Sequence, residues 1–115
     1  MKILITGSSG YIGSCCYEFL KKKHIVFGLD KNENILKKQK NFFKTNISKY
    51  QNLKKIIKII NPEAIIHLAG QSTIEGIQKK KNYVINNQKV TENVVKTCNQ
   101  FKIKHIIFAS TAAVY

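Results

Sequence analysis

The sequence predicts one α/β domain with a doubly wound, parallel five-stranded sheet in the order 3-2-1-4-5 and helices on both faces. Three observations carry the α/β class and the parallel sheet, and the strand order is the usual one of doubly wound sheets. Short runs rich in Ile, Val and Phe alternate with segments whose apolar residues recur at helical spacing. Glycine and polar residues gather at the junctions between them. At 115 residues the chain is long enough for one compact core and no more.

The elements follow in order. Residues 2–6 (Lys-Ile-Leu-Ile-Thr) form a first strand, and a glycine-punctuated turn at 7–13 leads into a helix over 11–22. The apolar face of that helix is expected at Ile12, Cys15, Cys16, Phe19 and Leu20. A second strand over 24–29 ends at Asp30; a Lys- and Asn-rich loop follows, with a helical turn near Ile35 and Leu36. A short third strand over 41–45 precedes a helix that Ser48 starts, with Gln51 in capping-box spacing. Its apolar face is Leu53, Ile56, Ile57 and Ile60, and Asn61-Pro62 ends it. A fourth strand runs over 64–68 and breaks at Ala69-Gly70. A long helix over 79–100 carries Tyr83, Asn87, Val90, Val94 and Cys98 on one stripe, and a fifth strand covers 105–109. Growth of the sheet reverses at the first strand, which opens a crevice at the carboxyl ends of the strands.

Composition excludes several function classes. With 43% hydrophobic and 23% charged residues the chain reads as an ordinary globular protein. No apolar run approaches the roughly 20 residues of a membrane span, and the start has no signal-peptide pattern, so a cytoplasmic protein with no membrane partner is expected. The formal charge of +14 suggests nucleic acid, but all 20 basic residues are Lys. Arg, the usual bidentate reader of bases, is absent, and the lysines are scattered over several elements. Abundant Lys, Ile and Asn match what an A/T-rich coding sequence favours, and no specific nucleic-acid role is expected. Cys15, Cys16 and Cys98 show no metal spacing and read as small buried apolar residues of a reducing compartment. His24, His67 and His105 make no metal spacing either, and read as structural.

The strongest local signal is Thr6-Gly7-Ser8-Ser9-Gly10-Tyr11-Ile12-Gly13. A strand that turns sharply into a helix while its backbone approaches a pyrophosphate needs residues without Cβ. The helix N-terminus then offers amide donors and the positive end of its dipole. Asp30, the only Asp in the chain, stands 17 residues after Gly13 at the end of the second strand. A carboxylate there can accept both adenosine ribose hydroxyls and repels a 2′-phosphate, which favours NAD over NADP. Lys31 follows it directly and leaves room for some NADP tolerance.

With these residues in view, the sequence resembles the extended short-chain dehydrogenases/reductases, particularly the UDP-glucose 4-epimerases among the NAD-dependent epimerases and dehydratases. The ordered matches are the turn from Thr6 to Gly13, Asp30, Asn46-Ile47, Ile66-His67-Leu68-Ala69-Gly70, and Ser110-Thr111-Ala112-Ala113-Val114-Tyr115. The resemblance implies a Rossmann-like fold with NAD bound by Gly7, Gly10, Tyr11, Ile12, Gly13, Asp30 and Lys31. It also implies Asn46 and Ile47 near the adenine, Leu68, Ala69 and Gly70 beneath the cofactor, Asn86 and Asn87 on the long helix holding the cofactor side and propping the neighbouring strand, and Ser110 as a further cofactor-binding residue. Two departures stand out: Val90 where the family often has Gly, and Ser72 where epimerases often have Lys.

For the complete protein the resemblance implies a homodimer that takes a nucleotide sugar, a UDP-hexose, and epimerises it by transient hydride transfer to tightly bound NAD. Thr111 matches the hydroxyl that hydrogen-bonds the reacting oxygen. The family's proton-shuttling Tyr and the Lys four residues after it are expected beyond residue 115, with the substrate domain. On this reading the chain is an incomplete NAD-binding domain, truncated after the fifth strand. Tyr17 with Lys21 and Tyr50 with Lys54 share that spacing, but among 20 lysines such pairs arise by chance, and both lie on the wrong helices. Two alternatives stay open: a redox-inactive NAD(P)-binding module, and a nucleotide-sugar reductase or dehydratase. Ala112 and Ala113 stand where dehydratases tend to carry an acid.

Overall fold

A computed structural model describes residues 1–33, 39–69 and 77–109, with only the backbone described for 77–86. The elements are β1 (Lys2–Thr6), α1 (Tyr11–Leu20), β2 (Ile25–Asp30), β3 (Phe42–Lys44), α2 (Tyr50–Ile60), β4 (Ala64–His67), α3 (Ile77–Phe101) and β5 (His105–Phe108). The sheet has the order β3-β2-β1-β4-β5, and every pairing is parallel. The expected doubly wound α/β fold is therefore present, with β1 flanked by β2 at Ile5↔Gly28 and by β4 at Ile5↔Ile66. The expected helical turn at Ile35 and Leu36 lies outside the described residues.

Both faces of the sheet are covered, which explains why the strands read as continuous apolar runs. Leu4, Leu29 and Ile65 pack on one face against Leu53, Ile56, Ile57 and Ile60 of α2 and Val90, Val94 and Cys98 of α3. Ile3, Ile5, Val26 and Ala64 pack on the other face against Tyr17, with Cys16 and Leu20 of α1 beside it. The α2 face is the expected one, and α2 ends on Asn61, whose left-handed backbone (φ 51°) closes the last turn.

Two local expectations are corrected. The inward face of α1 is Gly13, Cys16, Tyr17 and Leu20, while Ile12 (63%) and Phe19 (72%) are exposed, as is Cys15. Gly13 sets this rotation, because a Cβ there would overlap the Gly7 carbonyl oxygen, so the bare side of the helix must meet the turn. The capping box at Ser48 and Gln51 does not form: α2 starts at Tyr50 with Lys49 at its N-cap and no side-chain cap. Asn46 closes the approach instead, its Oδ1 accepting the Ser48 N–H at 3.0 Å in an Asx turn. Among the described residues no helix is long and apolar enough to cross a membrane.

Candidate dinucleotide site

At the carboxyl ends of β1, β2 and β4 lies a cavity of about 580 Å³, within the size range of small-molecule sites. The glycine turn forms one side of it. Gly7 and Ser8 N–H both donate to the Leu29 carbonyl, at 2.7 and 3.3 Å, which ties the turn to β2. Gly7 adopts φ +77°, and a Cβ on it would come within 2.7 Å of the Ala69 nitrogen and the Leu68 carbonyl carbon. Only glycine fits there. Gly10, in extended conformation, precedes α1 without a side-chain cap. The first N–H groups of α1, on Tyr11, Ile12 and Gly13, thus lie beyond the reach of helical acceptors and at the positive end of the dipole. Tyr11 is 87% exposed, so its contribution to this turn is its backbone.

Asp30 lines the same cavity beside the glycine turn. Its Oδ2 accepts the Ser9 N–H at 3.0 Å and its Oδ1 the Asn32 N–H at 2.9 Å. Each carboxylate oxygen keeps a further lone pair for an incoming hydroxyl. Of the expected cofactor residues, Gly7, Gly10, Asp30, Lys31, Asn46, Ile47, Leu68 and Ala69 all line this one cavity, joined by Asn87 of α3. Val90 lines it too, occupying space that a glycine would leave open. Gly70, Ser110 and Thr111, and the side chain of Asn86, lie outside the described residues.

The structure adds supports that sequence reasoning missed. Asn93 is buried, and its Nδ2 donates to the carbonyls of Ile47 and Ser48 at 2.8 and 3.0 Å, so α3 holds the segment after β3. Its position three residues after Val90, on the inward side of the helix, was the available signal.

Beneath the cavity, Thr6 and His67 lock β1 to β4. Thr6 Oγ1 accepts the N–H of Leu68 at 3.1 Å and of Ala69 at 3.2 Å, and lies 2.6 Å from His67 Nδ1. With its oxygen accepting, the hydroxyl gives its hydrogen to Nδ1. The ring hydrogen then sits on Nε2 and donates to Thr91 Oγ1 at 3.3 Å. Burial lowers the His67 pKa from 6.5 to about 4 and keeps this imidazole neutral. The structural reading of His67 is thus given a specific content: it holds the strand end that forms the cavity floor.

Comparison with known proteins agrees with this geometry. A UDP-glucose 4-epimerase of Klebsiella pneumoniae is 33% identical over 128 residues, covering 100% of this chain and 92% of its own length. Protein CapI of Staphylococcus aureus is 30% identical over 130 residues, and the chain spans 39% of its length. The crystal structure of UDP-glucose 4-epimerase from Bifidobacterium longum in complex with NAD+ and UDP matches with a TM-score of 0.85 at 26% identity. That match covers 100% of this chain and 38% of that one. Residues 3–115 match the family described as NAD dependent epimerase/dehydratase. The chain belongs to the NAD-dependent epimerase/dehydratase family.

Proposed function

We propose that these residues are the NAD-binding portion of a nucleotide-sugar epimerase acting on a UDP-hexose. The observation that carries this is the convergence of the glycine turn, the Asp30 carboxylate and the Leu68-Ala69 floor on one cavity. On this reading Gly7, Gly10, Tyr11, Ile12 and Gly13 hold the pyrophosphate, and Asp30 with Lys31 holds the adenosine ribose. Asn46 and Ile47 border the adenine; Leu68, Ala69 and Gly70 underlie the cofactor, and Asn86 and Ser110 complete the cofactor-binding set. Bound there, NAD supplies a reversible hydride acceptor for the sugar. The Klebsiella relative named for that activity and the Bifidobacterium structure holding NAD+ and UDP support the choice.

Asp30 gives the direct test. A charge-assisted hydrogen bond contributes roughly 1.5–3 kcal/mol, so calorimetry should find NAD at least about tenfold tighter than NADP. Asp30→Ala should weaken NAD by a similar factor and erase the preference. Equal affinity of the wild type for both cofactors refutes the assignment.

The proposal gives Thr111 the hydrogen bond to the reacting oxygen and places the proton shuttle and sugar-binding segments beyond residue 115. The 115-residue chain alone is then expected to show no turnover of UDP-glucose to UDP-galactose with NAD. An unassisted phenol, with a pKa of about 10, is not poised for proton transfer near neutral pH. Turnover above a no-protein control, lost in Thr111→Val, would place the chemistry within these residues instead.

A further inference from the structure

Gln39 sits in the connection between β2 and β3, where a solvated side chain is the ordinary outcome. It is instead 8% exposed. Its Nε2 donates to the carbonyl oxygen of Ser8 at 2.7 Å, inside the glycine turn. A carbonyl only accepts, so the nitrogen end of the amide is the end turned towards it. The other end, Oε1, is buried with no hydrogen-bond partner among the described residues, and the same holds for Ser8 Oγ. Gly28 on β2 makes room for both: a Cβ there would overlap Gln39 Oε1 and come within 2.5 Å of Ser8 Oγ.

Packing does not account for an amide at this position. A methionine of similar length would fill the space without burying an unpaired oxygen. What the glutamine contributes is the donor aimed at Ser8. It is mounted on a fixed base, because Asn41 is held three ways. The Asn41 N–H donates to the Tyr17 hydroxyl at 3.1 Å, its Nδ2 to the Val26 carbonyl at 3.3 Å, and its carbonyl accepts the Gly28 N–H at 2.7 Å.

The Ser8 carbonyl and the Ser9 N–H belong to a single planar peptide unit. Gln39 binds its carbonyl edge, and the Asp30 carboxylate takes the opposite edge through Ser9 N–H at 3.0 Å. We propose that Gln39 is a positioning residue that, by clamping the Ser8–Ser9 peptide, orients both the glycine turn and the Asp30 carboxylate for the dinucleotide. This deepens the cofactor reading above and rests on it for the identity of the ligand.

The test uses the full chain with Gln39→Met and Gln39→Glu, read in two independent ways. Amide hydrogen exchange without ligand should rise by about tenfold at residues 7–13 in Gln39→Met while the strand amides of β1 and β4 hold their protection. Calorimetry should show NAD binding weakened by about tenfold in the same variant. In Gln39→Glu at about pH 8 a carboxylate faces the Ser8 carbonyl, acceptor against acceptor, and binding falls at least as far. At about pH 5.5 that buried carboxyl, its pKa raised by desolvation, is protonated and donates again. Affinity should then return towards wild type in Gln39→Glu and stay low in Gln39→Met, a recovery that a merely structural role would not produce. Gln39→Met affinity within twofold of wild type, exchange raised evenly over all strands, or no recovery on acidification overturns the proposal. Wild-type protein that fails to bind NAD overturns the cofactor reading instead, and the exchange data still decide whether Gln39 holds the turn.

Discussion

Gly7→Ala is expected to destabilise the chain by roughly 3–5 kcal/mol and to abolish NAD binding, whereas Gly10→Ala costs less than about 1 kcal/mol. The two glycines lie three residues apart in the same turn, so composition alone does not separate them. At Gly7 the backbone is left-handed, φ +77°, which costs a residue with Cβ about 1–2 kcal/mol. The added carbon would also press to 2.7 Å on the Ala69 nitrogen and the Leu68 carbonyl carbon, backbone atoms that have no rotamer to move into. Relief requires parting the central strand β1 from β4, and the cavity floor moves with them. At Gly10 the nearest atom, the Gly7 carbonyl oxygen, would be 3.4 Å away, and the conformation is one any residue adopts. Urea unfolding midpoints and NAD calorimetry on the two variants check this. A Gly7→Ala chain as stable as Gly10→Ala would show that the β1–β4 junction yields freely.

The second large effect is on acid stability. His67 is neutral in the fold, with its pKa lowered to about 4 by burial, and has an unfolded value near 6.5. Above pH 6.5 neither state binds the proton, and the contribution of the neutral ring to stability is complete. As pH falls below 6.5 the unfolded chain takes up a proton that the folded chain refuses, so stability drops. Below about 4 the folded chain binds it too, and the loss levels off. The full change is roughly 3 kcal/mol. A folded imidazolium would also direct a second N–H at Thr6 Oγ1, which already accepts from Leu68 and Ala69. Denaturant unfolding between about pH 7 and pH 4 should therefore fall more steeply in wild type than in His67→Gln, whose amide does not titrate. Parallel curves would show that His67 protonates as easily in the fold as out of it.

Much of this protein was legible in the sequence because its signals are local and repeated. Parallel strands covered on both faces must be apolar along their length, and the helices between them must be apolar on one side. Alternation of the two therefore indicated a parallel α/β sheet, and the order 3-2-1-4-5 followed from the usual doubly wound topology. The glycine turn and Asp30 were legible for a related reason: each marks the carboxyl end of a strand, and the strands' shared direction brings those ends together. The α2 face was unambiguous, since Leu53, Ile56, Ile57 and Ile60 are its apolar stripe and its lysines stand elsewhere.

The rest depended on contacts between residues far apart in the chain. In α1 apolar residues occupy two overlapping stripes, and periodicity cannot choose between them. The choice falls to Gly13, whose missing Cβ must face the Gly7 carbonyl. Gln39 reads as loop and Asn93 as one more asparagine of an asparagine-rich chain, yet each is buried and holds a backbone carbonyl of the candidate site. Spacing can mark Asn93 as inward-facing, but neither residue's surroundings in the sequence name its partner, which lies 31 or 46 residues away. Hydrophobic periodicity thus determined the architecture and the strand ends. The buried polar bonds that hold the turn, the carboxylate and the cavity floor were decided only by the folded chain, since a lone donor on the sequence gives no sign of the acceptor it will meet.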